Sequence, residues 1–342
     1  MKAIYFPFLL SMLLFACKNE KIAAPTIEDN FFVDNDGAQM PVYVRGKQES
    51  SAIILFLHGG PGGNASQATF LPSFQDIELE YPIAYWDQRA SGLSQGNPAP
   101  ETYSVAQFVE DANLVISALK IRYPNKEIFV FGHSWGGALG AALLSTADYQ
   151  QNVKGFICMN SGHNLVKGLP LSIGWVEAYA KEQIAAKNEL EYWNEVRDWC
   201  ATKPDMTVAE NYFKYVAYLR ETDAYRHDNQ EVVTNNPTMG DIFNSRLNLG
   251  ILLGGRHLAQ NFNILKLNLS EDMKRITIPS MVLWGQHDGV NTMEMGFNAY
   301  NSLGTADEEK RLVILENSAH EGYLEQPIEF KEAVLQFVND YK

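Results

Sequence analysis

Gly132-His133-Ser134-Trp135-Gly136 sets one hydroxyl between two glycines, and its flanks give that spacing a chemical meaning. The apolar run Glu127-Ile128-Phe129-Val130-Phe131 before it has strand character. Gly137-Ala138-Leu139-Gly140-Ala141-Ala142-Leu143-Leu144 after it begins with small residues and continues as a helical apolar stripe. A serine at such a strand-to-helix turn is strained and presents its Oγ outward, and the crowded turn calls for glycine on both sides. Without those flanks, Gly-x-Ser-x-Gly reads as an ordinary glycine-rich loop. With them, Ser134 is the candidate nucleophile for acyl transfer.

Acyl transfer makes a second demand. Its tetrahedral intermediate carries a negative oxygen that backbone N–H donors must meet. The residue after the nucleophile, Trp135, offers one. Upstream, the buried-strand pattern Ile53-Ile54-Leu55-Phe56-Leu57 runs straight into His58-Gly59-Gly60-Pro61-Gly62-Gly63. A glycine-rich turn there lets the main chain approach the reacting carbonyl closely. Gly60 is the first candidate for the second donor and Gly59 the alternative. Taken alone, this block is simply a tight turn; paired with the serine turn, it completes an oxyanion hole.

Three blocks stand in order: His58-Gly59-Gly60-Pro61-Gly62-Gly63, then Trp86-Asp87-Gln88-Arg89-Ala90-Ser91-Gly92-Leu93-Ser94, then Gly132-His133-Ser134-Trp135-Gly136-Gly137. Together they resemble the proline iminopeptidase (peptidase S33-type) branch of the α/β-hydrolases, and the resemblance spans residues 28–342. It implies an α/β-hydrolase fold: a mostly parallel twisted sheet flanked by helices, with an inserted helical cap. The sequence has no Gly-x-x-x-x-Gly-Lys phosphate loop and no dinucleotide fingerprint, so no cofactor is expected. The resemblance also implies an aminopeptidase that releases N-terminal proline or a small apolar residue from short peptides. A carboxylesterase or lactonase acting on small acyl esters would use the same groups. A reading of another class is a catalytically silent, surface-anchored binding protein. One departure is Ala90, where the family carries glycine; alanine takes a positive φ less cheaply, so the resemblance implies an altered loop path there.

In this fold an acid and a histidine follow the serine in that order, each on a loop after a strand. The strand pattern Pro279-Ser280-Met281-Val282-Leu283-Trp284 leads to Asp288, and Arg311-Leu312-Val313-Ile314-Leu315 leads to His320. His320 is therefore the candidate general base and Asp288 the group that orients it. Glu316 is the rival acid and His287 the rival histidine. His58 and His133 sit inside the glycine blocks and are expected to shape the loops. In the resembled family, acidic cap residues hold the substrate's free α-amine. Glu210 and Glu195 are the candidates here, although a helical glutamate is more often a solvated face.

Composition bounds the rest. The 342 residues, 46% hydrophobic and 12% aromatic, suffice for one large core plus an insertion. With 27 basic against 41 acidic residues the net charge is −14, which argues against nucleic acid as a partner. No Cys or His cluster has metal-ligand spacing, so no metal is expected. The partner is a small peptide or acyl substrate.

Met1-Lys2 followed by a short apolar stretch to Ala16 reads as an export signal over residues 1–16. Leu14-Phe15-Ala16-Cys17 resembles a bacterial lipobox, although Phe15 is bulkier than usual. It implies a lipidated Cys17 anchoring an exported protein to a bacterial membrane, facing the periplasm or cell surface, with residues 17–27 as a tether. Phe31-Phe32-Val33 and Val42-Tyr43-Val44, around Asp34-Asn35-Asp36-Gly37, read as an opening hairpin. The alternation of strand and helix patterns then places the first part of the core at 28–162, the helical cap at 163–270 and the second part at 271–342. Cys158 falls in an apolar run and is expected to be a buried, inert thiol.

Overall fold

A computed structural model describes residues 27–146, 148–227 and 263–342. Residues 1–26, which contain Cys17 and the expected export signal, lie outside the described residues, as does the 228–262 part of the expected cap.

The chain opens with the hairpin of β1 (Ile27–Asn35) and β2 (Ala38–Gly46). Pairing of Asn35 with Ala38 leaves Asp36 and Gly37 as a two-residue turn, with φ of 41° and 79°. Two left-handed residues are what a hairpin of right-twisted strands requires, and Asp-Gly supplies them. There follow β3 (Ala52–Leu57), α1 (Pro72–Glu78), β4 (Ile83–Trp86), the short β5 (Gln95–Gly96), α2 (Val105–Arg122), β6 (Glu127–His133), α3 (Trp135–Leu144) and β7 (Gly155–Met159). Next come α4 (Leu165–Ala185), α5 (Leu190–Ala201) and α6 (Ala209–Arg220). The chain closes with β8 (Ser280–Gly285), α7 (Met293–Ser302), β9 (Lys310–Leu315), α8 (Gly322–Glu325) and α9 (Pro327–Tyr341).

The strands form one sheet in the order β1-β2-β4-β3-β6-β7-β8-β9, with β5 paired to β2. β1, β2 and β4 pair antiparallel, and every pair from β4 to β9 is parallel. Strands β3, β4, β7 and β8 are buried along their whole length. A parallel sheet covered on both faces calls for such continuous apolar runs. Alternation then sorts them: Ile53, Leu55 and Leu57 pack with Phe108, Leu139 and Met295 on one face. Ile54 and Phe56 pack with Phe74, Phe330 and Phe337 on the other.

From β3 the chain steps outward to β4, and β6 returns to the opposite side of β3 before the chain moves on to β7. That reversal opens a crevice at the carboxyl ends of β3 and β6, where open α/β sheets place ligands. The loops leaving β3, β6, β7, β8 and β9 share this edge.

Between β7 and β8, the described residues are helical, with an isolated Asn164–Asn268 bridge. Helices α4, α5 and α6 have a small core of their own, built on Val176, Trp193, Val196, Tyr215 and Leu219. Trp193 is therefore a packing residue, while Phe213 is 61% exposed. Cys158 and Cys200 are both free, buried thiols. Burial pushes the Cys158 thiol up to about 12, in keeping with an inert group. Among the described residues no helix is long and apolar enough to cross a membrane.

Candidate active site

Ser134 sits between β6 and α3 with φ 57° and ψ −119°. For an L-residue this is a sparsely populated conformation costing about 1–3 kcal/mol. Contacts on both sides enforce it. The Ser134 N–H donates to Met159 O at 2.9 Å, and its carbonyl accepts from Gly137, Ala138 and Gly162 at 3.0–3.2 Å. The glycines are steric necessities: a Cβ on Gly136 would lie 1.9 Å from Leu57 O, and one on Gly132 2.2 Å from Gly136 O. Ser134 itself remains partly exposed.

Ser134 Oγ lies 3.0 Å from His320 Nε2, and His320 Nδ1 lies 2.9 Å from Asp288 Oδ2. A carboxylate only accepts, so Nδ1 carries the hydrogen and Nε2 is left bare toward the serine. Burial alone would push the His320 pKa down. The charge of Asp288 and its hydrogen bond outweigh that and hold it above the usual histidine value. Asp288 is itself fixed at both oxygens. Oδ1 accepts from the Val290 and Asn291 N–H groups at 2.8 and 2.9 Å, while Oδ2 also accepts from Asn160 Nδ2 at 2.5 Å.

The rivals lie elsewhere. Glu316 is exposed, and the His287 ring stacks on His227 at 3.7 Å. His133 Nε2 donates to His320 O at 2.9 Å, tying the serine turn to the histidine loop. Burial, reinforced by the neighbouring His320, pushes His133 down to about 3, so it stays neutral. Glu325 accepts from Ala319 N–H at 2.8 Å and from the His227 N–H, which secures the same loop.

At the upstream turn, Gly59 stands against the serine, since a Cβ placed there would meet Ser134 Cβ at 3.2 Å. Gly60 takes φ +130° and precedes a cis proline. Trp135 opens α3, with its indole Nε1 donating to Gln88 Oε1 at 2.9 Å. Ala90 takes φ 53°, a left-handed conformation. The turn is closed by Ser91 N–H to Gln88 O at 3.0 Å. It is pinned by the buried Arg89–Asp111 ion pair and by Asp87, which accepts from Ala65 and Leu93 N–H. These anchors outweigh a strain of about 1–2 kcal/mol for a left-handed alanine.

The cap reaches the site through residues the sequence did not single out. Gly289 N–H donates to Ala224 O at 3.2 Å, and Glu321 N–H to Tyr225 O at 3.2 Å. The Tyr225 ring meets His320 edge-on at 5.8 Å. Ser172 Oγ contacts both Tyr215 OH and Gly289 O, and Trp175 packs where a Cβ on Gly289 would go. Glu195, one of the two cap candidates, lies on α5. It is exposed, and its carboxylate is engaged with Lys214 at 3.1 Å and Tyr218 OH at 2.9 Å. It faces solvent because Trp193 and Val196, on the opposite side of α5, fill the cap core. Glu210, in the first turn of α6, is exposed as well.

Among the described residues no cluster of three or more His, Cys, Asp or Glu is arranged to hold a metal ion. What remains is a serine, a histidine and a carboxylate in hydrogen-bonded sequence at the switch point of a parallel sheet, the layout of an α/β-hydrolase. The comparison with known proteins agrees: the chain belongs to the alpha/beta hydrolase fold family, whose profile matches residues 52–327. It is 24% identical over 293 residues to Probable aminopeptidase YbaC of Bacillus subtilis (strain 168), covering 83% of this chain and 88% of that one. It is 23% identical over 314 residues to the proline iminopeptidase of Heyndrickxia coagulans, covering 90% and 98%. The crystal structure of the Mycobacterium smegmatis proline iminopeptidase superposes with a TM-score of 0.65 at 19% identity, covering 92% and 98%.

Proposed function

We propose that the protein is a serine hydrolase that forms an acyl-enzyme on Ser134 and releases N-terminal proline or a small apolar residue from short peptides. The observation that carries the hydrolase part is the 3.0 Å contact of Ser134 Oγ with His320 Nε2, backed by Asp288. His320 takes the Oγ proton as Oγ attacks the scissile carbonyl carbon, and Asp288 stabilises the imidazolium. The N–H groups of Trp135 and of Gly60 or Gly59 receive the oxyanion. Collapse of the intermediate breaks the C–N bond, and His320 passes its proton to the leaving amine. Water then repeats the cycle on the acyl-enzyme, giving the acid and restoring the Ser134 hydroxyl.

The peptide part rests on the two relatives named for aminopeptidase activity. A free α-amine beside the acyl carbon is what separates such substrates from simple esters. A cap carboxylate is the group to hold it, with Glu210 and Glu195 the candidates. The test pairs a prolyl arylamide bearing a free amine with its N-blocked form and with a short acyl ester, each on the wild type and on Ser134→Ala. We expect serine-dependent arylamide cleavage that falls at least about 100-fold when the amine is blocked, the scale of one lost desolvated charge pair. Serine-dependent ester cleavage without arylamide cleavage would overturn the peptide part. The outward engagement of Glu195 with Lys214 and Tyr218 favours this second, carboxylesterase reading. The intact serine–histidine–carboxylate relay weighs against a silent binding protein.

We also propose, from the sequence alone, export and a lipid anchor on Cys17. Cys17→Ser should then move the protein from the membrane fraction to the soluble fraction. Unchanged membrane fractionation would end that idea.

A further inference from the structure

Gln88 is wholly buried, and every polar atom of its side chain points at the candidate oxyanion machinery. Nε2 donates to His58 O at 3.0 Å, and Oε1 accepts from Trp135 Nε1 at 2.9 Å. A carbonyl only accepts and an indole N–H only donates, so the amide has one allowed orientation. Its backbone takes part as well: the Gln88 N–H donates to His58 Nε2 at 3.2 Å. That fixes the tautomer of His58, whose Nδ1 carries the hydrogen and donates to Gly59 O at 2.8 Å. Burial pushes the His58 pKa down, so the ring stays neutral in this role.

These contacts govern two peptide units. The carbonyl of His58 shares its planar unit with the N–H of Gly59, and the carbonyl of Gly59 shares its unit with the N–H of Gly60. Both units are trans, since the cis bond of this turn is Gly60–Pro61. In a trans unit the N–H points opposite to the carbonyl. Holding the two carbonyls on the Gln88 side therefore turns both N–H groups away from it. The third arm, the Trp135 indole, anchors the first residue of α3, whose own N–H is the other candidate donor.

We propose that Gln88 is the positioning residue that couples the two halves of the oxyanion hole, aiming the N–H groups of the His58–Gly60 turn and of Trp135 at one oxygen. The proposal rests on the reading of Ser134 as nucleophile and adds to it a reason for the glutamine of the Trp86–Ser94 block. It touches no substrate, so its effect is on the transition state through the alignment of others.

The experiment compares wild type, Ser134→Ala, Gln88→Met and Trp135→Phe on a short acyl ester, and measures their affinity for an alkylboronic acid. In the boronate adduct a lone pair of Ser134 Oγ forms the O–B bond, its proton passes to His320, and a boron-bound oxygen occupies the oxyanion position. Gln88→Met keeps the volume and removes both polar arms. The expected result is a fall in kcat of about 100-fold, the scale of one lost donor, with KM within about twofold. Boronate affinity should fall by the same factor as kcat. Trp135→Phe removes one arm, so the double variant should be no slower than Gln88→Met, because both act through one network. If Gln88→Met does not fold, Trp135→Phe, which removes only the Oε1 arm, should by itself lower kcat and boronate affinity by one common factor. A kcat near wild type, a kcat loss without loss of boronate affinity, or additive losses in the double variant would each overturn the proposal. Wild type no faster than Ser134→Ala would overturn the nucleophile reading and this proposal with it.

Discussion

Ser134→Ala lowers turnover by about 10⁴–10⁶-fold, the scale seen when a serine hydrolase loses its nucleophile, and leaves the melting temperature within about 2 °C of wild type. The two halves of this expectation come from separate features. Activity falls because no other hydroxyl in the described site stands 3.0 Å from His320 Nε2. Stability holds because alanine keeps the Cβ, and with it the φ 57° conformation already enforced by Met159 O and by the three N–H groups on the Ser134 carbonyl. The substitution loses one partly exposed hydrogen bond, worth about 1 kcal/mol. Steady-state turnover and thermal melting on one preparation check both halves. Turnover near that of the wild type would remove Ser134 from the chemistry. A melting temperature lowered by ten degrees would mean that the turn depends on Oγ itself.

Much of this site was legible because its parts carry local signals. β3, β7 and β8 are unbroken apolar runs, since both faces of each are covered, and each ends at a polar or glycine-rich loop on the same edge of the sheet. A Gly-x-Ser-x-Gly turn needs its glycines for steric reasons that operate within a few residues and at Leu57 O. Asp288 and His320 followed from loop position along the strand order. The hairpin was located by its Asp-Gly turn but runs to Ile27 and Gly46, because its outer residues, Glu28-Asp29-Asn30 on one strand and Arg45-Gly46 on the other, form no apolar run.

The missed residues owe their roles to distant parts of the chain. Asn160 donates to Asp288 across 128 positions and Tyr225 packs on His320, contacts that no local pattern encodes. One signal was available for Asn160: a polar residue directly after the apolar strand β7, on the edge where the other site loops gather. It takes φ 45°, which asparagine tolerates better than most residues. The direction of the cap glutamates was likewise undetermined. Helical spacing gives a face, and only the packing of α5 against α4 and α6 says which face looks outward. Glu195 therefore ended on Lys214 and Tyr218, and Ala90 took a left-handed conformation in a turn that Asp87 and Arg89 anchor.

Asp288→Asn is the second large effect, and its mechanism can be followed atom by atom. Two backbone N–H groups, from Val290 and Asn291, point at Oδ1. They only donate, so the amide oxygen of an asparagine must take that place and the NH₂ must take the place of Oδ2. There it faces Asn160 Nδ2, another donor, and His320 Nδ1. His320 can meet the new NH₂ only with a bare Nδ1, which moves its hydrogen to Nε2 and turns a donor toward Ser134 Oγ. A ring in that tautomer cannot take the serine proton, and the expected loss in kcat/KM is about 10⁴-fold. The Asn160 Nδ2 that the new NH₂ faces keeps Ala319 O at 3.4 Å as its acceptor. The pH profile carries the same logic. In the wild type, protonated His320 is inactive and Asp288 holds its pKa above the usual 6.5, so kcat/KM rises with pH through a limb centred above that value. In Asp288→Asn the favourable charge is gone and burial, which lowers the pKa, acts unopposed by it, so the limb moves to lower pH. A profile whose acid limb stays in place in the variant would show that another group governs it, and a loss of less than tenfold would show that Asp288 does not set the tautomer of His320.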